Sequence, residues 1–362
     1  MALSRQLNLP VDPPSQVETL ASRLGAEWPA ITDARARAQE QIDSLRSELN
    51  ELIPPNTNMV VFGSLGRYEF TGESDVDWTL LIDGPADAQH MDAALSIERR
   101  LKELRVKEPG PERTFGGLTV SHDLLHKIGG EDDTNRNTTQ RILLLLESVP
   151  IGGNTRAYTG VVNGVLKRYI QEDAGPLGLE SPVRVPRFLL NDIARYWRTM
   201  AVDFAYKRRV RAPTGWALRS AKLRMSRKLI YVAGLLSCFS CEAELDPFRH
   251  EGPEAVLQVV NQLAHRVWQK PLDIVAGTVL LYGEPLLAPA AELFAAYDRF
   301  LALLGDPVSR NRLKDLPPED ATTDPVYAEV RELGKHFQDA LTRMFFDADT
   351  PLRELTRKYG VF

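Results

Sequence analysis

Residues 62–83 read FGSLGRYEFTGESDVDWTLLID, and the second half, DVDWTLLID, has the apolar run of a buried strand headed by two acids. A strand sends residues i and i+2 to one face. Asp75 and Asp77 therefore project together, while Val76 and Trp78 take the opposite face, toward a core. Two carboxylates on one face repel unless a divalent cation sits between them. Mg²⁺ favours carboxylate oxygens, water and substrate phosphates. Upstream, MVVFGS reads as another buried strand, and Gly63-Ser64 ends it and begins a short helix over 65–70. A helix start offers free N–H groups and partial positive charge to an anion. Gly63 lets a phosphate approach the backbone, and the Ser64 hydroxyl adds a donor. A phosphate cradle some ten residues ahead of a metal-binding pair predicts a nucleoside triphosphate bound with its metal ions.

Working outward, 16–53 reads as helical, with an apolar stripe through Ile42, Leu45, Leu49 and Leu52, and Pro54-Pro55 stops it. ADAQHMDAALSIERRLKELRV reads as a helix after the acid-headed strand. GLTVSHDLL (117–125) reads as a third strand, and DTNRNTTQRILLLLES as a helix with Asp133 or Thr134 as N-cap. A boundary falls at VPIGGN (149–154). Beyond it the pattern is helical over 155–172, 187–207, 215–237, 254–268, 270–281, 289–304 and 325–346. Residues 237–254 and 305–325, rich in Pro and polar residues, read as connecting loops.

GSLGRYEFTGESDVDW resembles the nucleotidyltransferase signature of the DNA polymerase β superfamily: Gly-Ser, about ten residues, then Asp-x-Asp on a strand. The form GS-x-x-R-x-E followed by SD-x-D is similar to the uridylyl- and adenylyltransferases that modify nitrogen-regulation proteins. Bacterial antiphage-defence nucleotidyltransferases share the signature. The resemblance covers roughly 57–150. It implies an α+β fold, with a polymerase β-like nucleotidyltransferase domain of small mixed sheet and helices followed by an all-α helical domain. The expected units are N-terminal helices (1–55), the catalytic domain (56–150), helices completing the nucleotide cleft (151–305), and a C-terminal helix and tail (306–362). The cofactor expected is Mg²⁺ or Mn²⁺, and the donor a nucleoside triphosphate such as ATP or dATP.

The resemblance also implies a third carboxylate on a neighbouring strand. Asp123, on one face of the 117–125 segment with Thr119 and Ser121, is the first choice, and Asp132 and Asp133 are rivals. Arg67 either braces the loop against Glu69 or reaches a phosphate. His122 and His126, four apart, lack an evident third ligand and read as ordinary histidines. In the helical half, Arg219, Lys222 and Ser226 fall on one stripe at i, i+3, i+7. Asn191, Arg195 and Arg198 share a face of another helix. Either set, or both, is expected to meet the triphosphate, with Lys222 the favoured phosphate contact.

Transfer would join a nucleotide to a hydroxyl and release pyrophosphate. Four acceptor readings stand: synthesis of a nucleotide signal or short oligonucleotide, led by the antiphage-defence resemblance; addition to a tRNA end; modification of a protein partner; and a nucleotide-binding regulator without turnover. The tail RKYGVF places Tyr359 between basic residues and Gly360, a built-in acceptor if the tail enters the cleft. The alternative is a tail docked on the core through Phe362.

Composition bounds the rest. The chain has 362 residues, 43% hydrophobic and 26% charged, with formal net charge −5. That balance disfavours a surface coated for duplex DNA or a broad RNA footprint. No run of about 18 apolar residues occurs, so no membrane insertion is expected. The N-terminal residues lack the apolar stretch of a secretory signal. The two cysteines, Cys238 and Cys241, form no disulfide framework, which fits a cytoplasmic protein. Lacking a second pair for zinc, they read as half-buried thiols at a helix end.

Overall fold

The computed structural model describes residues 15–107, 117–174, 185–210, 214–244 and 253–360. Ser15 caps α1 (Gln16–Leu24) by accepting from the Glu18 N–H, and Gly25, at φ 60°, ends it. Pro29 opens α2 (Pro29–Leu49), which buries Ile31, Ala34, Ala38, Ile42, Leu45 and Leu49 at helical spacing. The glycine cap and the proline split what the periodicity presents as one helical stretch.

Next come β1 (Thr57–Phe62), the single turn α3 (Gly63–Gly66), β2 (Asp77–Ile82) and α4 (Ala88–Glu103). Then follow β3 (Leu118–Val120), α5 (Ser121–His126), α6 (Asn135–Leu146) and β4 (Val149–Gly153). Helices α7 (Thr155–Ala174) and α8 (Arg187–Val210) begin the helical half. One rod follows, made of α9 (Trp216–Lys222), a π-turn (Leu223–Arg227) and α10 (Lys228–Ala243). The chain continues as α11 (Pro253–Val267), α12 (Pro271–Tyr282), α13 (Glu284–Gly305), α14 (Pro307–Asp315), α15 (Pro325–Thr342) and α16 (Pro351–Leu355).

The four strands form one mixed sheet in the order β3-β2-β1-β4. β1 runs antiparallel to β2 and β4, and β2 parallel to β3. The α+β class expected from the pattern is observed. Several local readings differ in the structure. The 117–125 strand stops at Val120, because α5 buries Ser121 and Leu124, three apart, and turns His122 and Asp123 outward. VPIGGN, where a boundary is expected, forms strand β4, paired to β1 from Val61↔Val149 to Asn58↔Gly153. The 305–325 loop contains α14, whose N-cap Asp306 accepts from the Ser309 N–H at 2.9 Å. The expected 237–254 loop also begins late, since α10 runs to Ala243; residues 245–252 lie outside the described set.

The sheet has both faces covered. Met59, Val61, Trp78, Leu80, Val149 and Ile151 pack with α2 and α4 residues such as Ile42, Leu45 and Ile97 in one core. Val60, Phe62 and Leu81 join the larger core of the helices. The alternation is that of a central strand. It leaves one opening: Asp77 pairs with Phe62 at the end of β1, where the second face passes beyond the helical core.

Candidate active site

That opening is a cleft. Its floor is Gly63, Ser64, Asp75 and Asp77, and its far wall is Lys222, Ser226 and Arg227 of the rod with Arg310 of α14. Asp75 and Asp77 share the face expected, while Val76 and Trp78 are buried opposite. Neither carboxylate accepts a hydrogen bond from a described residue. The loop that aims them is pinned: the Thr71 N–H donates to Ser74 Oγ at 3.1 Å and Ser74 N–H to Thr71 O at 2.9 Å. Val76 N–H then donates to Lys107 O at 3.1 Å.

Two glycines are dictated by close approach. Gly63 has φ +69°, and a Cβ there would stand 3.0 Å from Asp77 Oδ2. Gly66 lies against the backbone before β4: its Cβ would fall 1.9 Å from Glu147 O. Only a residue without a side chain fits either place.

Burial, then the charges of Asp75 and Glu147, pushes Asp77 up to about 6. Burial holds the Lys222 amine down to about 8, partly offset by Asp75 and reinforced by Arg310 and Arg227. The cleft thus opposes crowded anions on the sheet to crowded cations on the helices. Each group is short of counter-charge, which suits a ligand carrying both a cation and phosphates.

Behind the cleft runs a buried ionic chain. Tyr297 Oη donates to Glu69 Oε1 at 2.8 Å, and Arg67 Nε donates to Glu69 Oε2 at 2.8 Å. Arg67 Nη1 donates to Glu147 Oε2 at 2.5 Å, and Arg227 Nη1 reaches Glu147 at 3.3 Å. Arg67 therefore serves the first of its two expected roles, bracing the loop against Glu69. Its guanidinium is committed to two carboxylates, and Arg67 also lines the cleft, as its second expected role requires.

The remaining expectations divide. Gly63, Ser64, Lys222 and Ser226 line the cleft. Arg219 does not: its Nη1 donates to Thr214 O at 3.1 Å, closing its own helix start. Arg195 and Arg198 line a separate groove, where Arg195 donates to Asn135 Oδ1 at 3.0 Å. Asp123 is exposed and paired with Lys127 at 2.8 Å, because α5 replaces the expected strand. Asp133 is buried in a pair with Arg141 and Asp132 is exposed, so neither lines the cleft. Thr119 holds the position beside the acid pair's face on β3, bonded to Thr79 at 2.9 Å. Among the described residues no three His, Cys, Asp or Glu side chains gather to hold a metal ion. Of the described acids, Asp75 and Asp77 line the cleft unpaired, while Glu69, also in its lining, is taken by Arg67 and Tyr297. The rings of His122 and His126 lie 4.8 Å apart on α5, tilted at 45°, and no third ligand joins them among the described residues.

Tyr359 packs half-buried on the helical core, and its neighbour Lys358 reaches Glu242 at 3.2 Å. Glu242 stands some fifteen residues along α10 from Arg227, a rise of about 20 Å. The tyrosine is therefore remote from the acids; Phe362 lies outside the described residues. Cys238 and Cys241 are unpaired and buried in α10. Burial pushes Cys241 up to about 12 and Cys238 well above its usual range, as inert thiols require. Among the described residues no helix is long and apolar enough to cross a membrane.

Arg227, Arg310 and Glu147 escape the sequence reading. Glu147 had a signal, a lone acid closing the run LLLL; Arg310 sat in a segment that looks like a loop. The cavity between the walls is about 40 Å³, room for a few waters or a cation, whereas a small-molecule site occupies roughly 300 Å³ or more. The acids and the basic wall face each other nearly closed. Compared with protein-family models and with curated proteins, the chain matches none.

Proposed function

We propose that the chain is a metal-dependent nucleotidyltransferase of the polymerase β-like kind, acting in the cleft between Asp77 and Lys222. One observation carries the reading. Two carboxylates that accept from no described residue project together beside a glycine turn, opposite three cationic side chains supplied by helices far away in sequence. Such a set fits a divalent cation such as Mg²⁺ or Mn²⁺ and a polyphosphate together, and fits few other ligands.

Asp75 and Asp77 would hold the cation; when bound it polarises phosphate oxygens and eases ionisation of the acceptor hydroxyl. Gly63 and Ser64 receive the outer phosphates of the donor. Lys222, Arg227 and Arg310 then neutralise charge on the leaving group, where it develops most. The acceptor oxygen bonds to the α-phosphorus, and the bond from that phosphorus to the bridging oxygen breaks. Pyrophosphate departs with the electron pair, and the hydroxyl proton passes to solvent. The wall formed by the rod and α14 would move outward to admit the donor, because the closed cavity is too small for it.

A second reading has its own support. Asp123, the third acid expected from the neighbouring segment, is turned outward to Lys127, which favours a nucleotide-binding regulator without turnover. Incubation with each ribo- and deoxyribonucleoside triphosphate plus Mg²⁺ or Mn²⁺ separates the two. Pyrophosphate release that disappears in Asp75→Ala/Asp77→Ala supports transfer. Saturable nucleotide binding with no release, alone or with tRNA or protein added, leaves only the regulator.

A further inference from the structure

A second and larger cavity, about 760 Å³, lies along one stripe of α8 and has no part in the donor site. Asn191, Arg195, Arg198, Val202, Tyr206 and Arg209 recur along it every three or four residues, and Asn135 of α6 closes one side. Val202 is 69% exposed and Tyr206 56%, so apolar and aromatic surface lies open between arginines.

The charge of α8 runs against that of the chain. It carries Arg187, Arg195, Arg198, Lys207, Arg208 and Arg209 against Asp192 and Asp203, six basic to two acidic residues, while the whole chain is at −5. Asp192 is turned inward to Arg141, and Asp203 is taken by Lys207. Arg198 and Arg209 form no ion pair among the described residues.

The helix that carries the groove also touches the helix of the cleft wall. Trp197, beside Arg198, stacks on Tyr231 of α10 at 5.7 Å, and the charge of Arg198 reaches the Tyr231 hydroxyl. Tyr231 is one turn, about 6 Å, beyond Arg227 of the cleft wall. Between them in sequence, Lys228 donates to Gln338 Oε1 of α15 at 2.6 Å, and burial, then the neighbouring Arg224, holds its amine down to about 8.

We propose that this groove binds a single strand of nucleic acid, whose end is led past Tyr231 to the acid pair as the acceptor of transfer. Arginines along one helix face, with an exposed aromatic ring between the last two, suit a strand whose bases can stack. A duplex needs a broad basic face that the chain lacks. An acidic protein segment would leave Tyr206 and Val202 without use. The delivery of the strand's end rests on the nucleotidyltransferase reading; the binding does not. In the transfer the terminal sugar hydroxyl bonds to the donor's α-phosphorus, pyrophosphate leaves with the bridging electron pair, and the proton goes to water.

The test is fluorescence anisotropy of the full chain with a labelled oligouridylate of about a dozen nucleotides. Binding is expected in the micromolar range at low salt, with log K falling against log salt at a slope of about −2 for three phosphate contacts. Arg198→Glu/Arg209→Glu should weaken it about tenfold or more, and Tyr206→Ala about fivefold. The substituted groove side chains are exposed, and a circular dichroism melt checks that each variant folds.

No anisotropy change at about 100 µM protein overturns the proposal. So does unaltered binding by the arginine variant, or equal binding of a duplex. Displacement by polyglutamate as efficient as by unlabelled strand would assign the groove to an acidic protein instead. Strand binding without pyrophosphate release sinks the transferase reading alone, and release without strand binding sinks this proposal alone.

Discussion

Replacing Asp77 by asparagine should stabilise the metal-free protein, by an amount that grows with pH. In the unfolded chain the carboxyl titrates at its ordinary 3.8; in the fold, burial and then Asp75 and Glu147 push it up to about 6. The folded state holds the proton more tightly, so stability is lost as pH rises between these values, and the loss is complete above them. At about 1.4 kcal/mol for each tenfold in proton affinity, it reaches about 3 kcal/mol, an upper bound because the side chain is partly open to water. Asparagine has the same shape and nothing to ionise. Unfolding entropy for a chain of this length is about 0.8 kcal/mol/K, so Tm should rise by up to about 4 °C at pH 8 and hardly at pH 4. Scanning calorimetry in chelator measures this. Excess Mn²⁺ should then raise the wild-type Tm and leave the variant unmoved, reversing their order. A Tm difference that is the same at both pH values, with or without metal, would show that Asp77 is not a crowded carboxylate awaiting a cation.

Gly63→Ala should cost about 1–2 kcal/mol from its positive φ and, by pressing on Asp77 Oδ2, weaken Mn²⁺ binding in titration calorimetry; unchanged binding would contradict the contact. Glu147→Ala leaves Arg67 and Arg227 facing each other without their shared carboxylate, and should lower stability by about 3–5 kcal/mol in urea unfolding. A loss below 1 kcal/mol, on the order of a surface pair, would mean water already enters the chain behind the cleft. Lys222→Met should raise KM for the triphosphate about tenfold. Because Lys222 is protonated only below about 8, wild-type kcat/KM should fall above that pH, and this limb should be missing in the variant.

The acid pair and its turn were legible in the sequence because alternation along a strand is local: Val76 and Trp78 needed a core, so Asp75 and Asp77 had to face elsewhere. Lys222 and Ser226 were legible by helical spacing. What sequence pattern lacked was the partner of each face. Arg195 and Arg198 form the stripe expected, but α6 rather than the sheet lies across from it. Asp123 alternates correctly for a strand of nine residues, yet β2 offers β3 only three positions of pairing, and burying Leu124 then turns the chain into a helix. Strand β4 looks like a linker because Pro150, Gly152 and Gly153 suppress strand propensity; its pairing with β1 decides the matter. Arg310 was hidden by the prolines around α14, which here sit at a helix start, where they are tolerated.

The π-turn at 223–227 amounts to one surplus residue in an otherwise regular rod. It lets the two ends answer to different neighbours: α9 lies on α14 and α15, while α10 lies on α8, α11 and α12. Deleting exposed Arg224 would restore ordinary winding and swivel one end by about 100° relative to the other. Either Trp216 would leave its seat under Tyr327, or Arg227 would swing off Glu147. A single-codon deletion there should thus be more damaging than most substitutions in the same stretch, and an alanine inserted beside it should rescue what the deletion removes.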